Sequence, residues 1–321
     1  MSRSRFAVAV FSFFLFSALP AAAQVYDTFV IPVVGNTAGA GGTRWGTQLS
    51  IFNPQQYTLK VSLTFLPTGI ETGSEFLVTV PSNSTFFSSN VINDVFKRSG
   101  TGALLVATFA NDNPSVPDGV IDRAFVVTTT TFNNASSGTF GQGIPGTLTG
   151  EMDFALEKVS SIATGIRNFG TIGSTGYRTN IGAVNTGRYS IRLLVSVYDS
   201  QGRTVADRLP FNVAPLAHFQ DRLPVNVDGG TVEFFVDDPS QTAVVFPYAS
   251  IVDNRSGDPV YVAPILLASP KYLYGNTKTM VAPTEVGKRI DPARAKEIAG
   301  SMHRGGYVHT ENGAVVVDRL Y

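Results

Sequence analysis

The chain carries few side chains of the kind that do chemistry, and their spacing does not favour it. There is no cysteine and there are only three histidines, His218, His303 and His309. Without cysteine there are no thiol nucleophiles, thiolate metal sites, disulfide scaffolds or lipid-modified Cys. His303 and His309 share the C-terminal region but lack the His-Glu-x-x-His spacing that sets two imidazoles on one helix face. Asp112, Asp118 and Asp122 lie in an acidic stretch, NDNPSVPDGVID. They supply the hard oxygen ligands that calcium favours, but not at EF-hand spacing. The same Asp, Asn, Pro and Gly residues also serve as plain turn formers. Ser174 sits in GTIGSTG, where Ile172 takes the first glycine position of a Gly-x-Ser-x-Gly nucleophile elbow. The glycines of Gly35–Thr43 are followed by neither Lys-Ser nor a helical pattern, so they do not form a phosphate loop. A Ser-His-Asp triad needs no sequence proximity and stays open, but nothing specific points to one. Nor does anything mark paired carboxylates for glycoside hydrolysis. The expectation is a protein that is not an enzyme and holds no cofactor.

Trp45, Tyr57, Phe87, Tyr177 and Tyr189 suggest a different chemistry. Flat rings beside short polar side chains stack on sugars, and the same rings fill cores and sheet faces. Trp45, Tyr57, Tyr177 and Tyr189 are therefore the ligand-binding candidates, with a polysaccharide or an extracellular protein as the partner. Formal net charge is zero and no basic patch is visible, which argues against nucleic acid as a partner.

The elements that would position these residues are strands. Thr, Val, Phe and Ser are common, Gly and Pro are frequent, and helix-forming Glu and Lys are sparse. One stretch occurs twice: TQLSIFNPQQYTLKVSLTFLPTG from Thr47 and TNIGAVNTGRYSIRLLVSVYDSQG from Thr179. Thr47 and Thr179, Asn53 and Asn185, and Tyr57 and Tyr189 stand at one constant offset. Each copy reads as strand, Asn-centred turn, strand. Leu59, Val61, Leu63 and Phe65 alternate with Lys60, Ser62 and Thr64, the period of a half-buried antiparallel strand. Ile191, Leu193, Val195 and Val197 repeat the pattern, with Leu194 and Tyr198 more apolar on the other face. That second face is expected to be covered by the first half or by the tail. Asn53 and Asn185 should each bond an amide two residues on and close the turn. Pro32, inside the opening strand, denies one ladder hydrogen bond and points to an edge or a bulge.

Roughly seven strands per copy describe a pair of β-sandwiches. The expected division is domain 1 over 24–146, domain 2 over 147–268 and an appendage over 269–321. In the appendage, 293–303 reads as a helix, and two short strands flank Asn312-Gly313, a strong hairpin signal. The pattern Thr-[Gln/Asn]-[Leu/Ile]-x3-Asn, with the later Asp253-Asn254-Arg255-Ser256-Gly257-Asp258-Pro259, resembles tandem immunoglobulin-like domains of secreted bacterial proteins of unknown function. The resemblance implies an extracellular or surface location and no activity.

Residues 1–23 read as an export signal: Arg3 and Arg5, an apolar run from Phe6 to Leu19, then Pro20 and Ala21-Ala22-Ala23. The run is short for a membrane span, and no other long apolar run follows. The expected location is secreted, at the cell surface or periplasmic, and the expected role is structural or adhesive. Extracellular carbohydrate binding is the alternative. An outer-membrane β-barrel is a third reading, opposed by strands shorter than the roughly 10 residues such barrels use.

Overall fold

The computed structural model describes residues 28–69, 73–111, 124–135, 138–148, 159–237, 244–268, 306–311 and 314–319. The described fold is all-β, its sheets are antiparallel, and it is not a closed barrel. The chain forms two compact units, one ending at Asn276 and one starting at Thr277.

The first half of the larger unit contains β1 (Thr28–Ala38), β2 (Arg44–Asn53), β3 (Leu59–Pro67), β4 (Ser74–Val80) and β5 (Ser84–Ser88). A one-turn helix α1 (Val91–Asp94) follows, then β6 (Gly100–Asn111), β7 (Val126–Ala135), β8 (Gly138–Pro145) and β9 (Thr147–Leu148). The second half contains β10 (Val159–Asn168), β11 (Tyr177–Asn185), β12 (Ile191–Tyr198), β13 (Thr204–Val213) and β14 (Ala217–Arg222). Its last strands are β15 (Val227–Val236), β16 (Val245–Asp253), β17 (Pro259–Val262) and β18 (Ile265–Ala268).

The pairing is the same in both halves. In the first, one ladder runs β4-β3-β6-β1-β9 and a second runs β5-β2-β7-β8. In the second, the ladders are β13-β12-β15-β10-β18 and β14-β11-β16-β17. One feature differs. The Gly35–Thr43 stretch, whose glycine-rich composition suits a flexible loop, instead continues β1 through Ala38. Gly35 and Asn36 still pair with β6, while Thr37 and Ala38 cross over and pair with Trp45 and Arg44 of β2. This strand switch joins the two ladders of the first half into one nine-stranded sheet. Pro32 lies where the β1–β6 register shifts between Ile31 and Val34, the bulge its missing N–H requires. Thr147 and Leu148 pair with Phe29 and Val30, so the first half reaches two residues past Gly146.

Each half encloses its own core between its two ladders. Leu59, Val61, Leu63 and Phe65 are buried with Ile31, Leu49, Ile51, Leu104 and Ile144. Ile191, Leu193, Val195 and Val197 are buried with Ile181, Val232, Phe234 and Ala249. Lys60 is exposed, and Ser62, although buried, hydrogen-bonds the Glu75 carboxylate.

The smaller unit contains β19 (Gly306–Glu311) paired antiparallel with β20 (Ala314–Arg319). Glu311 pairs with Ala314, and the Asn312-Gly313 turn read from sequence lies outside the described residues. The helix read at 293–303 lies outside the described residues.

The repeated asparagines do more than close their turns. Asn53 Oδ1 accepts from the Gln55 N–H at 2.9 Å, and its Nδ2 lies 2.8, 3.0 and 3.1 Å from the carbonyls of Tyr57, Val80 and Pro81. Asn185 repeats the set, with the Gly187 N–H at 2.9 Å and the carbonyls of Tyr189, Val213 and Ala214 at 2.8, 3.2 and 3.0 Å. Each side chain is fully buried and ties the turn after its own strand to the end of β4 or β13. Replacement by Ala strands several buried backbone groups at once. Asn53→Ala and Asn185→Ala should each cost about 2–3 kcal/mol in denaturant melts. A loss below about 0.5 kcal/mol would contradict the clamp.

Candidate functional site

The sequence candidates do not converge. Trp45 and Tyr177 stand at the starts of the equivalent strands β2 and β11, whereas Tyr57 and Tyr189 follow the turns at the other ends. Tyr57 is half-buried against the first core. Tyr177 is half-buried, packs edge-on against Phe169 and lies under the Arg167 guanidinium, 4.0 Å from ring centroid to charge. Tyr189 is 67% exposed, and its carbonyl serves the Asn185 clamp. No single aromatic platform results. Asp112, Asp118, Asp122 and His303 lie outside the described residues, and His309 sits on β19. Among the described residues no group of three or more His, Cys, Asp or Glu could hold a metal ion, and no helix is long and apolar enough to cross a membrane.

What the structure does build is a junction between the two halves. The outer face of β14-β11-β16-β17 packs on the outer face of β4-β3-β6-β1-β9. Val184 and Phe246, cross-strand partners on β11 and β16, bury against Val30, Leu66 and Ala103. The Leu194–Tyr198 face is expected to be covered by the first half or by the tail; the first half covers the other sheet instead. The Leu194 face instead carries Tyr198 bonded to Glu233 and Arg208 stacked on Phe235. A signal for the true junction was present. Val245–Val252 (VFPYASIV) is an almost unbroken apolar run, which marks a strand buried on both faces. The equivalent β7 places Thr128 and Thr130, neither of them buried, on its outer face.

A chain of hydrogen bonds crosses the junction. Thr68 Oγ1 lies 2.8 Å from His218 Nδ1, His218 Nε2 lies 2.9 Å from the Tyr248 hydroxyl, and Tyr248 donates to Gln220 Oε1 at 2.8 Å. Because Tyr248 spends its proton on Gln220, it accepts from Nε2–H, and Nδ1 accepts from Thr68. The imidazole is therefore neutral and fixed in one tautomer. Gly182 faces Tyr248 across the ladder, and any Cβ there would collide with the ring.

Next to this chain a cleft of about 340 Å³ opens between the halves. Trp45 and Gln142 line it from the first half, and Arg178, Gln220, Arg222 and Ser250 from the second. Arg178 is only 6% exposed. Its Nη1 reaches the Asp253 carbonyl and Asn254 Oδ1, both at 3.4 Å, and makes no ion pair among the described residues. Its pKa is lowered, first by burial and then by the neighbouring Arg222 charge. Gln142 is buried, and its Nε2 donates to Ser250 Oγ at 3.3 Å while Oε1 has no partner. Among the described residues, no acidic side chain lines the cleft. It is a cationic, amide-rich slot with unmet hydrogen-bonding capacity on both of its walls.

No family model matches the chain, and no curated protein matches it either.

Burial pushes the His218 pKa from 6.5 down to about 3. Below pH 6.5 the unfolded chain takes up a proton that the folded chain refuses, so this contribution to stability is intact above about pH 6.5 and is lost as pH falls toward about 3. The loss from this one group approaches about 1.4 kcal/mol per pH unit. Urea melts at about pH 7 and about pH 5.5 should show the parent losing roughly 1 kcal/mol more than His218→Gln. Equal losses in the two proteins would contradict a buried neutral imidazole.

Proposed function

We propose that the chain is an exported, non-enzymatic protein with a structural or adhesive role. In this proposal it comprises two immunoglobulin-like β-sandwich domains over 24–146 and 147–268, with an appendage over 269–321. Residues 1–23 direct export, and the mature protein acts outside the cell, at its surface or in the periplasm.

One observation carries the adhesive part. On β11 and β16, Val184 and Phe246 are 0% and 2% exposed in the junction. The equivalent cross-strand pair on β2 and β7, Phe52 and Val126, is 39% and 52% exposed, and Phe87 beside it on β5 is 58% exposed. The first half thus leaves open the same sheet face that the second half uses for docking. A contiguous exposed apolar patch on a polar surface is a mark of protein–protein contact. The partner implied is an extracellular protein that offers a flat apolar surface.

The test is fractionation of producing cells, with N-terminal sequencing, for the parent and for Phe52→Asp combined with Phe87→Asp. Both positions are exposed, so the double variant should fold with a stability change within about 1 kcal/mol. The parent should begin at Gln24 and remain with the cell envelope, and the variant should begin at Gln24 and be released. A cytoplasmic parent, or a variant retained as well as the parent, would contradict the proposal.

A further inference from the structure

We infer that the cleft between the halves is a binding site for a sugar acid, a hydroxylated ring bearing a carboxylate. Three features of the cleft support this, wherever the protein acts.

The first is charge. Arg178 and Arg222 come from adjacent strands, with Arg222 opposite Asn180 and two residues along from Arg178 on the shared face. Neither guanidinium has an ion-pair partner among the described residues. Two close guanidiniums with no acid among the described lining residues repel one another, and a bound carboxylate relieves that repulsion. The planar fork of Arg suits a carboxylate in two-point contact.

The second is an orphaned acceptor. Gln142 Oε1 is buried and unpartnered on the opposite wall. A buried acceptor without a donor costs about 1–3 kcal/mol. A carboxylate has no proton to give it, so the ligand that satisfies both walls must also carry a hydroxyl. Gln220 and Ser250 offer further neutral polar contacts of the kind a polyol uses.

The third is shape. A volume of about 340 Å³ falls at the lower end of the range for small-molecule pockets, the scale of one sugar ring. Trp45 forms part of the wall and presents an apolar ring to the sugar's C–H face. Of the four aromatic candidates named from sequence, Trp45 alone takes part.

The experiment titrates the full chain with D-glucuronate, D-glucose and acetate by calorimetry, alongside a glucuronate-containing oligosaccharide. Glucose removes the carboxylate and acetate removes the hydroxyls. Glucuronate should bind at least about tenfold more tightly than either, since both walls are then engaged. Arg222→Ala changes an exposed side chain and should fold normally, with a matching melting temperature as the check. It should weaken glucuronate binding by about tenfold or more. Gln142→Leu should weaken glucuronate and leave acetate unchanged, an effect that general loss of charge cannot mimic. If the oligosaccharide binds more tightly than the monosaccharide, the site takes a polysaccharide residue, and equal binding assigns it to the free acid. The inference is overturned if neither glucuronate nor the oligosaccharide binds saturably. It is also overturned if glucose binds as well as glucuronate, or if Arg222→Ala leaves binding intact.

Discussion

The structure depends on covering one sheet face. Strands β11 and β16 present Val184, Phe246 and Tyr248 outward from their own core, so the second half has apolar residues on both sides of its smaller sheet. Left in water, that face would forgo about 1.5–3 kcal/mol for each large side chain. The outer surface of the first half's larger sheet, with Val30, Leu66 and Ala103, covers it. Much of the rest follows. Tyr248 reaches the first core, His218 is sealed between Thr68 and Tyr248, and the two walls of the Arg178 cleft are brought into register.

Polar groups fix the geometry that apolar contact alone would leave free to slide. The Thr68–His218–Tyr248–Gln220 chain has one consistent direction of donation, and its members are held in the junction. Thr68 and His218 also form a backbone bridge, and the Gly69 N–H donates to the His218 carbonyl. A shifted register would leave the buried His218 and Tyr248 side chains unpaired, at a cost of kilocalories each. The two halves are therefore set at one relative position, which a preorganised cleft requires.

The repeat was legible in sequence because its physics is local. Period-two alternation set the burial of Leu59–Phe65 and Ile191–Val197, and Asn53 and Asn185 recur because a carboxamide can donate and accept at the same turn. The junction and cleft were hard to read because their residues lie far apart in sequence. Gln142 meets Ser250, and Thr68 meets His218, across more than 100 positions. Tyr57 and Tyr189 were ligand candidates as flat aromatic rings, while their recurrence argued for a shared structural job, and what the fold repeats there is the carbonyl that accepts from asparagine. The continuation of β1 through Gly35–Ala38 was hidden for a similar reason. Its glycine-rich composition suits a loop, but pairing with β2 across the sheet switch overrides that preference.

The central claim is that a covered sheet face makes the two halves one cooperative body. Scanning calorimetry of the full chain and of Phe246→Asp tests it most directly. Phe246 is 2% exposed, so the carboxylate would be buried at the centre of the junction. The parent should melt the two halves in one transition, with calorimetric and van't Hoff enthalpies in agreement. The variant should resolve into two transitions, one for each half. Two separate transitions in the parent, or an undivided and unshifted transition in the variant, would contradict the account.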